Sequence, residues 1–322
     1  MVSPVVAASW AINDRWAVKT SIGLDQITSA STDNIDDHVS SASRVDQRTF
    51  TTLEVVRDFG NQTLGVSGGF SSEYDYTSGM AGVAWTRNFN QQNTTLAAFG
   101  RYFADTISLF DINGDDQGAA RRHTTDLSLT LTQILGRRTV ATVDVGLSLH
   151  RGFLSTPFHE VIVAAALGVP DDFRVAERLP DARDRWAVGL RVNHSLTDWL
   201  VERGGYRFYD DTFGVQAHTV ESETHMRLPT ADEQWMFPIA RFHRQTGSRY
   251  FGLPGTQPLD TDFFTADRDL SSFDSWRYGA GWKWVGTGGA TLGWLPFRSI
   301  EVRVTRYERS GGFRAIASSV GF

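Results

Sequence analysis

Hydrophobic and polar positions alternate along most of this chain. The stretch TDLSLTLTQILG, Thr125 to Gly136, places Leu127, Leu129 and Leu131 on one parity and Asp126, Ser128, Thr130 and Thr132 on the other. Successive side chains of a strand point to opposite faces, so this segment predicts a strand with one apolar and one polar face. Elsewhere Trp16, Val18, Thr20, Ile22 and Leu24 oppose Ala17, Lys19, Ser21, Gly23 and Asp25. Trp186, Val188, Leu190 and Val192 oppose Ala187, Gly189, Arg191 and Asn193, and Ile300, Val302 and Val304 oppose Glu301, Arg303 and Thr305. The period is two throughout, with no helical stripe. Most candidate strands run about 10 to 14 residues, longer than the usual soluble strand and matched to a tilted membrane crossing.

The breaks between candidate strands alternate in length. Tight polar turns begin at Asn13, Asn61, Gln91, Gly136, Thr197 and Thr230. Between them fall longer Asp-, Ser- and Gly-rich segments, Ser29 to Gln47, Asp111 to Arg122, Phe153 to Asp184 and Gly247 to Asp269. Short turns at one end and long loops at the other are the signature of an outer-membrane barrel. Aromatic placement agrees: in SWRYGAGWKWVG, Trp276, Tyr278, Trp282 and Trp284 share one parity against Arg277, Gly279, Gly281 and Lys283. A soluble core rarely takes four such rings on one strand whose other face is basic, whereas a lipid-facing strand carries them as interfacial girdles. The alternating leucines are therefore expected to face lipid. The competing soluble reading, a large β-sandwich or propeller, is the weaker one.

Composition changes this picture little. A hydrophobic content of 41% and a mean hydropathy of -0.26 look soluble, but alternation hides apolar residues from an average. No run of about 18 apolar residues occurs, so a helical membrane span is excluded. The absence of cysteine fits an oxidising compartment. A net charge of -6 and a pI near 5.7 argue against a general nucleic-acid binder. The residues after Met1, VSPVVAASWAI, lack the basic start and long apolar core of a secretory signal, which leaves a mature form or a start further upstream. Nothing resembles a linker or repeat, so residues 1–322 are expected to form a single barrel domain.

Candidate chemistry lies on the polar parity. Lys19, Asp25, Asp126 and Asp144 come from the first half, with Glu54, Arg101, Asp105 and His150 beside them; Arg191, Arg203, Arg207, Arg241, Glu301 and Arg303 come from the second, with Arg277 and Lys283. The bias is acidic early and basic late. Sequential strands are neighbours around a barrel, so carboxylates would face arginines across a wet lumen and set up a transverse field. The alternative is a self-paired ion network that fills the interior, which Glu221 and Glu223 favour locally. Other motifs carry less. DINGDDQG, from Asp111, offers oxygen ligands at Asp111, Asn113 and Asp115 but lacks the glycine and glutamate spacing of an EF-hand. His159-Glu160 has no second histidine at i+4. Ser148, His150 and Asp144 tempt a hydrolase triad, but neighbours at i, i+2 are expected roughly 7 Å apart, too far for a relay. The segment from Phe153 to Asp184 is expected either to cap the outside or to fold inward.

Several segments in fixed order resemble the outer-membrane family catalogued as domain of unknown function 3570. They are LDQITSAST near Asp25, SSEYDYTS near Glu73, AERLPDARDRWAV from Ala176, YRFYDDTFG from Tyr206, RFHRQTGSRYF from Arg241 and DLSSFDSWRYGAGW from Asp269. The resemblance spans almost the whole chain. It implies an all-β transmembrane antiparallel barrel of about 14 to 16 strands in the outer membrane of a Gram-negative bacterium, and it transfers no activity. It also implies a strand ahead of VSPVVAASW that this chain lacks, so that closing Ser3 to Ile12 on the last strand would give a parallel or irregular seam. The expected function is a porin-like channel for small polar or charged solutes, surrounded by membrane lipid, with no cofactor, no covalent chemistry and no nucleic acid. The alternative is a sealed barrel acting as scaffold for a periplasmic or surface redox or lipoprotein partner; a membrane-embedded hydrolase stands third.

Overall fold

The computed structural model describes residues 3–28, 45–110, 115–156, 159–164, 173–230, 232–258, 260–292 and 295–321. The first eight strands are β1 (Val5–Asn13), β2 (Trp16–Thr28), β3 (Val45–Asp58), β4 (Gln62–Ser72), β5 (Tyr76–Phe89), β6 (Thr94–Phe110), β7 (Asp116–Gly136) and β8 (Thr139–Gly152). Two short strands follow, β9 (Glu160–Ile162) and β10 (Arg174–Ala176). The series resumes with β11 (Ala182–Ser195), β12 (Leu200–Asp211), β13 (Gln216–Arg227), β14 (Glu233–Gln245), β15 (Phe273–Leu292), β16 (Leu295–Arg309) and β17 (Arg314–Gly321). Fifteen of these form one sheet in chain order from β1 to β17, while β9 and β10 pair only with each other. The registered pairs within the sheet are antiparallel, as between β2 and β3 or β12 and β13. Among the described residues no α-helix occurs.

Connections at one end of the sheet run two to five residues, from 14–15 through 137–138 to 228–232. The opposite end carries the long ones, 29–44, 153–181 and 246–272, together with tight turns at 73–75, 212–215 and 310–313. The segment from Asp111 to Arg122, expected to be a loop, is strand from Asp116 onward. Its polar composition reads as a loop, but backbone pairing beside β6 overrides composition. Residues 29–44, and with them most of the first long loop expected from the sequence, lie outside the described residues.

Exposure decides which face is which. Leu127, Leu129 and Leu131 are 46%, 47% and 43% exposed, and Trp276 is 52% exposed. Val66, Val145, Leu190, Val220 and Val304 on other strands are exposed with them. Water would not tolerate so many contiguous apolar side chains on an outer face, and lipid would. Trp282 and Trp284 turn their indole N–H groups to the short-turn end, donating to Gln234 Oε1 and Asp232 Oδ2, each at 3.1 Å. Rings with an apolar body and a satisfied polar tip suit a membrane interface.

The chain divides into two compact units. The first comprises Met1–Leu129, Gly146–Trp186 and Arg249–Leu270. Its driest packing lies in the connections rather than the sheet: Val161, Val163, Phe264 and Thr265 are fully buried. Bridges Val163 to Gln257 and Arg178 to Phe264 join the two long segments, and a bridge from Phe251 to Thr265 closes the second on itself. The buried Glu177 carboxylate ties them further, accepting the Thr156 N–H at 2.6 Å and the Thr265 hydroxyl. The second unit comprises Thr130–Val145, Ala187–Ser248 and Ser271–Phe322. Here Asp211 accepts the backbone N–H groups of Phe213 and Val215 at 2.9 and 3.0 Å, which folds the 212–215 turn over a buried Phe213.

Candidate functional site

The site belongs to the second unit and follows from strand register. On the polar face one row runs Gly205, Glu221, Arg241, Arg277, Tyr307 across β12 to β16. The next runs Arg203, Glu223, Ile239, Gly279, Thr305, and the one after it brings Phe237, Gly281 and Arg303 side by side. Because parity is fixed by pairing, arginines at alternate positions of separate strands converge. They line a cavity of about 520 Å³ that also receives Arg191 and Asn193 from β11. A second cavity of about 360 Å³ adjoins it, sharing Arg241 and Arg277 and adding His243.

Charge is handled differently in different rows. Arg303 is neutralised twice, its Nη1 2.8 Å from Glu223 Oε1 and its Nε 2.6 Å from Glu301 Oε1. Lys283 shares Glu301 at 3.9 Å, and His225 Nε2 lies 3.1 Å from Glu223 Oε2. The Phe237 ring lies under the Arg303 guanidinium at 4.9 Å and stacks on His225 at 4.3 Å between centroids. The Arg241 and Arg277 row has no such partners. These two cations are directly opposite in register, and among the described residues no ion pair within 4.0 Å reaches either. Among the described residues, their buried Nε atoms and the buried Asn193 Oδ1 have no hydrogen-bond partner. Glu221 is the register partner of Arg241, yet its side chain lies over Gly205, where a Cβ would stand 2.9 Å from Glu221 Cγ. With five arginines against two glutamates, the cavity wall carries a positive excess.

The structure brings Arg191, Arg203, Arg241 and Arg303 to this cavity, with Glu301 beside it through Arg303. Arg207 is one row away, exposed and opposite Thr219. Asp144 lies on the same unit with its carboxylate over Gly189, 2.5 Å from where a Cβ would stand. The remaining candidates belong to the first unit. Lys19 pairs with Glu54 at 3.3 Å, Asp25 accepts the Ser3 hydroxyl, and Asp126 accepts the Ser148 hydroxyl at 2.5 Å. Asn193 was not singled out by sequence, although its parity with Arg191 carries the signal.

Ser148 and His150 correct one expectation. Their side chains lean together along β8 and hydrogen-bond at 2.9 Å, closer than i, i+2 spacing suggests. The order, however, is Asp126, Ser148, His150, Thr124, with Thr124 at 3.1 Å from the other imidazole nitrogen. A carboxylate on the serine rather than on the histidine is the wrong sequence for a proton relay. The oxygen-rich motif at Asp111 lies mostly outside the described residues.

A family model described as "Protein of unknown function (DUF3570)" matches residues 2–116 and 109–295. No curated protein gives a significant match. Among solved structures, a variant of the ferric enterobactin receptor of Pseudomonas aeruginosa aligns with a TM-score of 0.54 at 9% identity, covering 95% of this chain and 50% of the receptor. The siderophore receptor PirA of Acinetobacter baumannii aligns with a TM-score of 0.52 at 12% identity, over 98% of this chain and 54% of its own. PirA of Pseudomonas aeruginosa also gives 0.52 at 12%, over 99% and 56%. The chain thus spans about half the length of the receptors it matches. At such identities the likeness shows the fold, the antiparallel transmembrane β-barrel of outer-membrane receptors.

Proposed function

Given that this chain belongs to the DUF3570 family of proteins of unknown function and has an outer-membrane barrel fold, we propose that it is a porin-like channel of the Gram-negative outer membrane for small polar or charged solutes. The observation that carries the reading is the polar face of the second unit, where about 520 Å³ stays unfilled beside Arg241 and Arg277, which no carboxylate neutralises among the described residues. A sealed interior would close such space with ion pairs or apolar side chains, because unsatisfied polar groups are costly where water is excluded. Polar parity facing a wet passage removes that cost. In this reading Lys19, Asp25, Asp126, Asp144, Arg191, Arg203, Arg207, Arg241, Glu301 and Arg303 face the passage, and no covalent step or cofactor is involved. The siderophores named for the matched receptors are one kind of charged solute within the class.

Single-channel recording of the purified protein in planar bilayers tests the proposal. Discrete conductance steps are expected, and a silent protein that is demonstrably folded overturns it. Labelling of Ser148 by a serine-reactive probe would overturn the non-enzymatic part separately. One observation favours a second reading, a scaffold or receptor for a periplasmic or surface partner such as a lipoprotein or redox protein: the buried packing of 153–181 against 249–270 in the first unit. Loops that build their own dry core are often functional in themselves. A silent wild-type protein would favour that reading.

A further inference from the structure

We infer that the opposed pair Arg241 and Arg277, with Arg203 and Arg191 beside it, is a binding site for a small polyanion, a solute carrying two or more carboxylate or phosphate groups. The inference names the solute class of the proposed channel and rests on that reading only for the solute's access to this face.

Like charges directly opposite on adjacent strands destabilise a sheet, so a register that sets Arg241 against Arg277 needs a compensating partner. The same unit shows that its sequence can supply partners. Arg303 has two carboxylates and Lys283 has one. The acid nearest in register to the opposed pair, Glu221, is instead folded over Gly205, a position whose missing side chain makes that placement possible. The cations are therefore left for something outside the chain.

Hydrogen bonding points the same way. Buried polar atoms are nearly always satisfied in native proteins, yet the Nε donors of both arginines and Asn193 Oδ1, three atoms around one cavity, are not. An oxyanion accepts from a guanidinium fork through two parallel N–H bonds. Half a turn of the Asn193 amide exchanges its oxygen for a further N–H donor. Two forks on adjacent strands suit two oxyanion groups on one molecule better than a single monovalent ion. A volume of about 520 Å³ with a further 360 Å³ alongside admits a molecule of that size.

The test is calorimetric titration of the full chain in detergent with tripolyphosphate and with citrate, alongside thermal unfolding with and without each anion. Wild type is expected to bind at least one, more tightly at low salt, and to melt higher in its presence. The Arg241→Gln, Arg277→Gln double variant is expected to lose about 100-fold in affinity, from two charge-assisted contacts. Without anion it should melt no lower than wild type, because the repulsion is relieved. The Arg241→Lys, Arg277→Lys variant keeps the charge without the fork and should retain intermediate affinity. Failure of wild type to bind either anion, or undiminished binding by the glutamine variant, overturns the site. A glutamine variant that melts well below wild type in the absence of anion also overturns it, since the side chains would then be structural. Bilayer recording on the same preparation separates the two proposals. Conductance without anion binding removes the site and leaves the channel; binding that the glutamine variant loses, without conductance, upholds the site and removes the channel.

Discussion

Arginines that look alike in the sequence differ sharply in what their neighbours demand of them. Arg303 holds two carboxylates and covers the Phe237 ring, so its loss leaves Glu223 with His225 alone and Glu301 with the more distant Lys283. Its side chain is a third exposed, which screens the pairs and keeps the effect below that of a fully buried ion pair. Arg303→Gln is expected to destabilise by about 1 to 2 kcal/mol in a urea titration from lipid vesicles, with the deficit shrinking as salt rises. Arg207, exposed and opposite Thr219, has no comparable ties, and Arg207→Gln should stay within about 0.5 kcal/mol of wild type in the same titration. Equal losses for the two variants would refute this distinction.

Strands and connections are stabilised by opposite arrangements of the same chemistry. Along β7 the apolar side chains are outside and the polar ones opposite, so Leu129→Arg sets a charge against hydrocarbon. A cost of about 2 to 4 kcal/mol is expected if Leu129 is near the bilayer midplane, read as reduced folding yield into vesicles of fixed chain length. Arginine at Ser128, on the other parity, should fold nearly as well as wild type. In the long connections the order is that of a soluble protein, apolar residues inside and a buried carboxylate satisfied by donors. Glu177→Ala would leave the Thr156 N–H and the Thr265 hydroxyl without their acceptor. Two stranded donors are worth about 2 kcal/mol or more, enough to open the packing between 153–181 and 249–270. Limited proteolysis should then cut within 249–270 at least about tenfold faster than in wild type. An unchanged cleavage rate would show that the apolar contacts hold these segments without the carboxylate.

At the scale of the molecule the distribution of charge would govern what passes through the proposed channel. The second unit lines its polar-face cavity with five arginines against two glutamates, whereas in the first unit Lys19 and Arg122 pair with Glu54 and Asp105 and Arg101 lies over the Phe99 ring. A permeating ion in the proposed channel therefore meets a net positive wall despite the chain's overall charge of -6. Arg203→Gln with Arg207→Gln should move the reversal potential under a salt gradient toward cation selectivity. The displacement should be largest at about 0.01 M salt and small at 1 M, as the Debye length contracts from roughly 30 Å to 3 Å. A reversal potential indifferent to the substitutions would place these side chains away from the conduction path.

Period-two alternation by itself determined the strand class, the approximate strand lengths and which side chains share a face, because a strand side chain's face follows from counting, while turn lengths and aromatic placement along the same sequence selected the face expected toward lipid. It likewise placed Arg191, Arg203, Arg241, Arg277 and Arg303 on one face before any contact was known. What counting could not reach was which of them are neutralised. Glu301 is two residues from its partner Arg303 but Glu223 is 80 away, and only the register across β12 to β16 brings that second carboxylate in while leaving Arg241 against Arg277. Composition misread Asp116 to Arg122 as loop because polar residues say little about backbone pairing. The apolar packing of 153–181 with 249–270 escaped it too, since contacts between segments about 90 residues apart leave no period in either. Local pattern thus carries orientation, and tertiary pairing alone decides which charges and buried groups find partners, because partnership depends on distances that the chain sets only when its strands are in register.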